Sequence, residues 1–108
     1  MNGGRLQQLE AMLSDEPGDT FLRYAIALEH RRLGDFRKAT DLLEQLMREV
    51  PSHVATYYQL ALLLADQGRL QDALAACDAG MLQSLVNADR KARSELNELK
   101  QTLLDSQE

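Results

Sequence analysis

Residues 24–34 read YAIALEHRRLG, and residues 58–68 read YQLALLLADQG, the same pattern 34 positions later. The offset holds from residue 17 to residue 84. Seven identities share it: Pro17/Pro51, Tyr24/Tyr58, Ala27/Ala61, Leu28/Leu62, Gly34/Gly68, Ala39/Ala73 and Met47/Met81. Roughly two would be expected by chance from ordinary residue frequencies. A fixed period of this length is typical of repeat architectures, so the sequence predicts two consecutive copies of one supersecondary unit.

Length and composition predict one small helical domain. The chain has 108 residues, of which 44% are hydrophobic, 27% are charged and 5% are aromatic, with no tryptophan. Alanine, leucine, glutamate, arginine and glutamine dominate, and all are good helix formers. We therefore predict a single all-α domain over residues 1–108.

Charge and cysteine content argue against several classes of partner. The net charge of -5 opposes binding to nucleic acid, which needs a positive field, and to an anionic membrane surface. One cysteine, Cys77, permits no internal disulfide and fits a reducing compartment. Residues 1–13 lack the apolar core of a signal peptide, and no stretch approaches the roughly 20 apolar residues of a membrane span. These features predict a cytoplasmic protein with no nucleic-acid or membrane partner.

The spacing of apolar residues predicts six helices. We expect an N-terminal helix over residues 5–14, a first repeat over 17–50, a second repeat over 51–84 and a C-terminal capping helix over 89–104. Each repeat holds two helices, and connections of about two to five residues make neighbouring helices antiparallel. The last helix has one apolar stripe, made of Ala92, Leu96, Leu99 and Leu103, with polar residues elsewhere. That pattern is typical of a terminal cap on a repeat stack.

Short polar residues and glycines mark the predicted helix ends. The predicted N-caps, which accept hydrogen bonds from the first backbone N–H groups, are Asp19, Asp35, Ser52 and Asp89. Gly34 and Gly68 are predicted to take the left-handed conformation that closes a helix. Asn87 is assigned the same role before the last helix.

These residues resemble the tetratricopeptide repeat family. The family pattern has a large residue, an apolar-plus-small pair, a turn glycine, an aromatic residue, a small alanine and a closing proline. Repeat 1 matches it with Ile26, Ala27, Gly34, Phe36, Ala39 and Pro51, and repeat 2 with Tyr57, Leu60, Ala61, Gly68, Leu70 and Ala73. The departures are Arg23 for the large aromatic of repeat 1, and Cys77 and Gly80 for an aromatic and an alanine in repeat 2.

The extent of the match limits the number of repeats. No proline closes repeat 2, and residues from Leu85 onward do not restart the pattern. The resemblance therefore implies two full repeats with flanking helices, in a right-handed stack of antiparallel helical hairpins. The chain is also similar to small stand-alone bacterial members with a tyrosine-rich first helix and a Ser-Glu-Leu sequence in the last, here residues 94–96.

The resemblance also implies a function. In this family the first helix of each unit lines a concave groove that holds an extended peptide or a partner helix. Carried over by position, the groove residues are Phe21, Tyr24, Leu28 and Arg31 from repeat 1 and Ala55, Tyr58, Leu62 and Asp66 from repeat 2. Stacked tyrosines and leucines are plausible anchors for an amphipathic partner.

Two alternatives to an open groove remain at this point. A terminal helix can fold over the Tyr/Leu stripe and occlude it, or the stripe can pair with a second copy to give a homodimer. One ligand of the family is not expected. Members that clamp a C-terminal carboxylate use Lys and Asn on these helices, where this chain has Tyr24, Leu28, Tyr58, Gln59 and Leu62.

No catalytic constellation is predicted. His30 is interpreted as a half-buried hydrogen-bonding residue, His53 as an exposed residue beside a helix start, and Cys77 as a packed thiol. Two histidines and one cysteine without metal-ligand spacing predict no metal site, and no glycine-rich phosphate loop suggests a cofactor. An enzyme would need converging polar groups, for example His30 and Cys77 together in an open cleft. We therefore predict a protein or peptide partner and no enzymatic activity.

Overall fold

The computed structural model of the chain describes residues 4–107, and these residues form six α-helices and no strand. The helices are α1 (Gly4–Asp15), α2 (Thr20–Arg32), α3 (Phe36–Glu49), α4 (Ala55–Asp66), α5 (Leu70–Val86) and α6 (Arg90–Asp105). The all-α prediction is confirmed. The ends of the predicted domain, residues 1–3 and 108, lie outside the described residues.

The chain divides into two compact units between residues 50 and 51. Unit 1 (Met1–Val50) contains α1 to α3, and unit 2 (Pro51–Glu108) contains α4 to α6. The division falls at the predicted border between the two repeats. The single-domain organisation stays a prediction.

Unit 1 is a helical hairpin with one extra helix. α2 packs against α3 on one side and against α1 on the other. The α1–α2 contact is built on Leu9, Leu22 and Ile26, which are all buried. Ala27 and Ala39 are fully buried, so they allow close approach within the hairpin. Burial of this apolar face is what holds α1, which would be marginal as an isolated helix of its length.

Unit 2 follows the same plan with the extra helix at the other end. α5 packs against both α4 and α6, and α6 also contacts α4. The three helices meet at Gly80. A Cβ atom at that position would lie 2.6 Å from Tyr57 Cβ and 2.8 Å from Leu96 Cδ1. Only a residue without a side chain fits there, so Gly80 sets how closely α5 approaches its neighbours.

Three of the four predicted N-caps are confirmed. Asp19 Oδ1 accepts from Leu22 N at 2.9 Å, Asp35 Oδ1 from Lys38 N at 3.2 Å, and Asp89 Oδ1 from Ala92 N at 3.0 Å. These donors lie in the first turns of α2, α3 and α6.

The prediction for Ser52 is wrong. α4 begins at Ala55, and Val54 precedes it without a side-chain cap. The backbone carbonyl of Ser52 instead accepts a hydrogen bond from Asn87 Nδ2 at 3.0 Å. A contact with the end of α5, distant in sequence, therefore holds this loop, and no local pattern could show it.

The closing residues of the helices are partly confirmed. Gly34 (φ 87°) and Gly68 (φ 77°) take the left-handed conformation, as predicted. Asn87 does not, because its φ is -85°; the left-handed residue is Ala88, with φ 57°. The turn needs this conformation at the position directly before the next N-cap, and Ala88 occupies it ahead of Asp89.

Candidate protein-interaction surface

In unit 1, the predicted contact residues lie along one side of α2. Phe21, Tyr24, Leu28 and Arg31 follow each other at intervals of three and four residues, which places them on one helix face. The core side of the same helix carries Leu22, Ile26 and Glu29. Phe21 is 70% exposed, and the other three members of the face are half-buried. The face therefore combines an exposed aromatic ring with partly covered apolar surface.

In unit 2, the predicted contact residues lie along one side of α4. Tyr58 and Leu62 are half-buried, whereas Ala55 and Asp66 are exposed. Tyr58 forms part of a cleft of about 240 Å³ between α4 and the first turns of α6. We call it the tyrosine cleft; its lining residues are Val54, Ala55, Tyr58, Asp89, Lys91, Ala92, Glu95 and Leu96. Its walls are mixed, with Tyr58 and Leu96 apolar and three charged side chains around them.

α6 contributes half of the tyrosine cleft, and the sequence prediction missed this. The repeat pattern does not restart after residue 85, so the sequence predicts α6 only as a cap with an inward apolar stripe. That stripe is real, since Leu96 and Leu99 are buried. Side chains flanking it, Lys91 and Glu95, line the cleft opposite Tyr58. The available signal was the stripe itself, because residues beside it must border the neighbouring helix.

Charged side chains near the α2 face are engaged within unit 1. Arg32 donates two hydrogen bonds to Glu29, from Nε to Oε1 at 2.9 Å and from Nη2 to Oε2 at 2.6 Å. Arg5 of α1 adds a third charge, with its Nε 3.6 Å from Glu29 Oε1. The Arg32 hydrogen bonds lower the pKa of Glu29, although only 4% of this residue is exposed. The Arg32–Glu29 pair lies within α2, and the Arg5 contact joins α1 to it, so Arg32 already has a partner within the protein.

The surroundings of Cys77 do not activate its thiol. Cys77 is fully buried, and burial raises the pKa of its thiol, with Asp78 adding to the effect. A raised pKa keeps the thiol protonated and weakens it as a nucleophile. His30 lies in unit 1, with its Nδ1 3.9 Å from Asp35 Oδ2, whereas Cys77 lies in unit 2.

His53 is half-buried rather than exposed, and burial lowers its pKa. Its Nδ1 is 2.8 Å from the hydroxyl oxygen of the buried Thr56. The lowered pKa favours the neutral imidazole, and the contact with Thr56 joins His53 to the first turn of α4. Within residues 4–107, no three His, Cys, Asp or Glu side chains are grouped so that they could bind a metal ion.

Among the described residues, no helix is both long enough and apolar enough to span a lipid bilayer.

Comparison with known proteins identifies the repeat. The tetratricopeptide repeat family matches residues 24–81, which is more than half of the chain. A tetratricopeptide repeat domain protein from Salinibacter ruber, solved by NMR, is 33% identical, with 81% of this chain and 88% of that chain covered and a TM-score of 0.78. No curated protein sequence matches the chain.

Two more distant solved structures share the fold. A protein from Bordetella parapertussis is 22% identical, with coverage of 94% and 88% of the two chains and a TM-score of 0.80. The TPR2B domain of yeast Sti1, solved in complex with pHsp70, is 17% identical, with coverage of 94% and 81% and a TM-score of 0.84. With a matched repeat over half its length and a close structural relative, the chain belongs to the tetratricopeptide repeat family, a fold of generally non-catalytic protein–protein interaction modules.

Proposed function

We propose that this protein is a non-catalytic interaction module that binds a peptide or helix of a protein partner in a concave groove to which α2 and α4 contribute. The proposed contact residues are Phe21, Tyr24, Leu28, Arg31, Tyr58, Leu62 and Asp66. One observation carries the proposal: Tyr58 is half-buried in the wall of the tyrosine cleft, with Leu96 beside it and charged side chains around. A cleft with an apolar interior and a polar edge is the usual form of a peptide-binding site.

The spacing of the contact residues suits an amphipathic partner. Tyr24 and Leu28 are one helical turn apart on α2, and Tyr58 and Leu62 have the same spacing on α4. A partner helix presents its own apolar side chains at intervals of three and four residues, so such pairs can alternate with them. Tyrosine is enriched among residues that dominate binding energy, because its ring offers area and its hydroxyl a hydrogen bond.

The non-catalytic part of the proposal is supported by the state of Cys77. Its thiol is buried and has a raised pKa, the reverse of what an attacking cysteine requires. A free buried thiol also fits a reducing compartment, and we propose a cytoplasmic location on that ground.

Affinity capture with matched variants tests the proposal. Wild type, Tyr24→Ala/Tyr58→Ala and Phe36→Ala would be used as bait in extracts of the native cell. Phe36 is an aromatic residue at the start of α3, 51% exposed and outside the proposed contact face. Its removal therefore controls for non-specific binding to an exposed aromatic side chain. We expect a partner that is retained by wild type and Phe36→Ala and lost by the double variant, at similar thermal midpoints. Retention of the partner by the double variant would exclude the α2 and α4 faces.

A homodimer is the second candidate, because the exposed ring of Phe21 can serve a second copy as well as a foreign partner. Sedimentation across a range of concentrations separates the two. A concentration-dependent dimer that Phe21→Ala and Tyr58→Ala dissolve would assign the face to self-association, whereas a monomer at all concentrations leaves it for a different protein.

A further inference from the structure

A second cleft lies in unit 2, between the C-terminal half of α5 and the first turns of α6. Its volume is about 710 Å³. We call it the arginine cleft; its lining residues are Met81 from α5 and Arg90, Arg93, Ser94 and Asn97 from α6. It is separate from the tyrosine cleft, with which it shares no lining residue.

The two clefts border opposite flanks of α6. The buried stripe of this helix runs through Leu96 and Leu99. At 100° per residue, Lys91 and Glu95 fall on one side of that stripe, and Arg93 and Asn97 fall on the other. The first pair faces the tyrosine cleft and the second pair faces the arginine cleft, so changes in one flank need not disturb the other.

Met81 lines the arginine cleft from α5, and exposed leucines follow it along that helix. Leu82 and Leu85 are 61% and 60% exposed, and Met81 beside them is half-buried. Leu85 lines a smaller depression of about 250 Å³, which shares Arg90 and Arg93 with the arginine cleft and lies toward the α5–α6 turn. Large exposed aliphatic side chains in a cluster typically mark an interaction site.

The α6 side is positively charged and available. Arg23, Arg32 and Arg69 each pair with a carboxylate of the chain. In contrast, neither Arg90 nor Arg93 has an ion pair or a side-chain hydrogen bond within residues 4–107. These two guanidinium groups therefore form a basic site on a protein whose net charge is -5. A guanidinium group is suited to binding a carboxylate through two parallel hydrogen bonds.

We propose that the arginine cleft binds an acidic amphipathic segment of a protein partner. Carboxylates of the segment pair with Arg90 and Arg93, while its aliphatic side chains pack on Met81 and Leu85. The charge pattern selects this occupant, because a basic or neutral amphipathic segment would cover the leucines and leave both arginines unpaired. The site is independent of the α2 and α4 faces and goes beyond the function proposed for them.

A designed peptide probes the site directly. The probe is a fluorescein-labelled, helix-forming peptide with leucines at i, i+3, i+4 and i+7 and glutamates beside them, and its binding is followed by fluorescence anisotropy. We expect Arg93→Glu to weaken binding about tenfold or more, which corresponds to about 1.4 kcal/mol. Lys91→Glu is the matched control, since it changes the same charge on the same helix turn but on the other flank. It should change the affinity less than about threefold, as expected for screened charges.

Two further arms sharpen the test. A second probe with lysines in place of glutamates should bind Arg93→Glu better than wild type, because the charges are then complementary again. Leu85→Ser should weaken the acidic probe at the arginine cleft. Any part of the binding that Tyr58→Ala removes is assigned to the tyrosine cleft, which separates this proposal from the one for that cleft. All of the substituted residues but Tyr58 are exposed, and circular dichroism melts verify that each variant folds.

Several results would overturn the proposal. These are no binding of the acidic probe to wild type, equal losses for Arg93→Glu and Lys91→Glu, or no effect of Leu85→Ser. A dimer seen by sedimentation and dissolved by Arg93→Glu would assign the cleft to a second copy and reject a foreign partner.

Discussion

The two repeats differ most clearly at one equivalent position of their first helices. Residue 23 of unit 1 is an arginine, and 34 positions later unit 2 has Tyr57. The Arg23 Nη2 atom lies 2.7 Å from Glu49 Oε1 at the end of α3. Tyr57 is 2% exposed, and its hydroxyl donates to the carbonyl oxygen of Pro51 at 2.7 Å. At this position unit 1 has an ion pair near the surface, and unit 2 has a buried aromatic ring.

A second pair of equivalent positions also differs between the units. Unit 1 has Leu46 on α3, and unit 2 has Gly80 on α5. Leu46 is fully packed, whereas Gly80 leaves room for the Tyr57 ring and for Leu96. Apolar volume comes from the second helix in unit 1 and from the first helix in unit 2. The two units therefore fill the space between their helices with side chains from different helices.

The largest expected effect is that of Tyr57→Ala compared with Arg23→Ala. Removing the buried ring should lower the free energy of unfolding by about 3–5 kcal/mol, because it leaves a cavity among three helices. Arg23→Ala should cost far less, since ion pairs near the surface contribute little to stability. Urea denaturation of both variants measures the difference. Equal losses would show that the two repeats are stabilised in the same way despite their different residues.

The second expected effect concerns Gly80. Helix propensity alone favours alanine over glycine, so Gly80→Ala would be stabilising on an open helix face. Here the added methyl group would overlap Tyr57 Cβ and Cγ, and we expect a loss of about 1–3 kcal/mol. Ala79→Gly, next to it and exposed, is the control and should cost about 0.5–1 kcal/mol through propensity only. A more stable Gly80→Ala variant would contradict the close helix contact.

A further difference between the repeats is the charge in their cores. Glu29 of unit 1 is buried in its ion pairs with Arg32 and Arg5, and the equivalent Leu63 of unit 2 is fully buried and apolar. Hydrogen bonds from Arg32 lower the pKa of Glu29 in the folded protein. A lowered pKa stabilises the fold above the unfolded pKa, and this contribution disappears as pH falls through the folded value.

Glu29→Gln should therefore reduce the thermal midpoint at neutral pH, and its difference from wild type should shrink below the ordinary glutamate pKa of about 4.3. Thermal melts across that pH range measure the effect. Glu10→Gln, an exposed position on α1, is the control and should track wild type. A difference that stays constant with pH would mean that the carboxylate charge is not what attaches α1.

The sequence predicted what depends on neighbouring residues and missed what depends on packing. The N-caps Asp19, Asp35 and Asp89 and the turn glycines follow from local backbone chemistry, so they were predictable. Ser52 was assigned as a cap, but its role is set by Asn87 far along the chain. The burial of Glu29 and the need for Gly80 depend on which helices face them, and no local pattern encodes that.

The same contrast between predicted local features and unpredicted packing holds for the candidate interaction surface. Helical periodicity placed Tyr58 and Leu62 on one face of α4, and the structure has them there, half-buried. The opposite wall of the tyrosine cleft, including Lys91 and Glu95, required knowing how α6 packs against α4. The arginine cleft was not predicted from the sequence, because it depends on how α6 packs against α5.

The smallest expected effect concerns the turns that close α2, α4 and α5. In all three, the N–H of the N-cap residue bonds to a carbonyl five residues earlier: Asp35 to His30 at 2.9 Å, Arg69 to Leu64 at 2.9 Å and Asp89 to Ser84 at 2.8 Å. The left-handed residue before each N-cap is glycine in the first two turns and Ala88 in the third. A side chain in this conformation is strained against its own backbone.

Ala88→Gly should therefore stabilise the protein by about 0.5–1 kcal/mol, the relief of strain less the greater flexibility of glycine in the unfolded chain. Gly34→Ala is the reverse change in the equivalent turn and should destabilise by a similar amount. Denaturant midpoints at constant slope measure both. If Ala88→Gly lost stability while Gly34→Ala did too, the turn after α5 would have to be held by contacts of the Ala88 methyl group, and the three turns would no longer be equivalent.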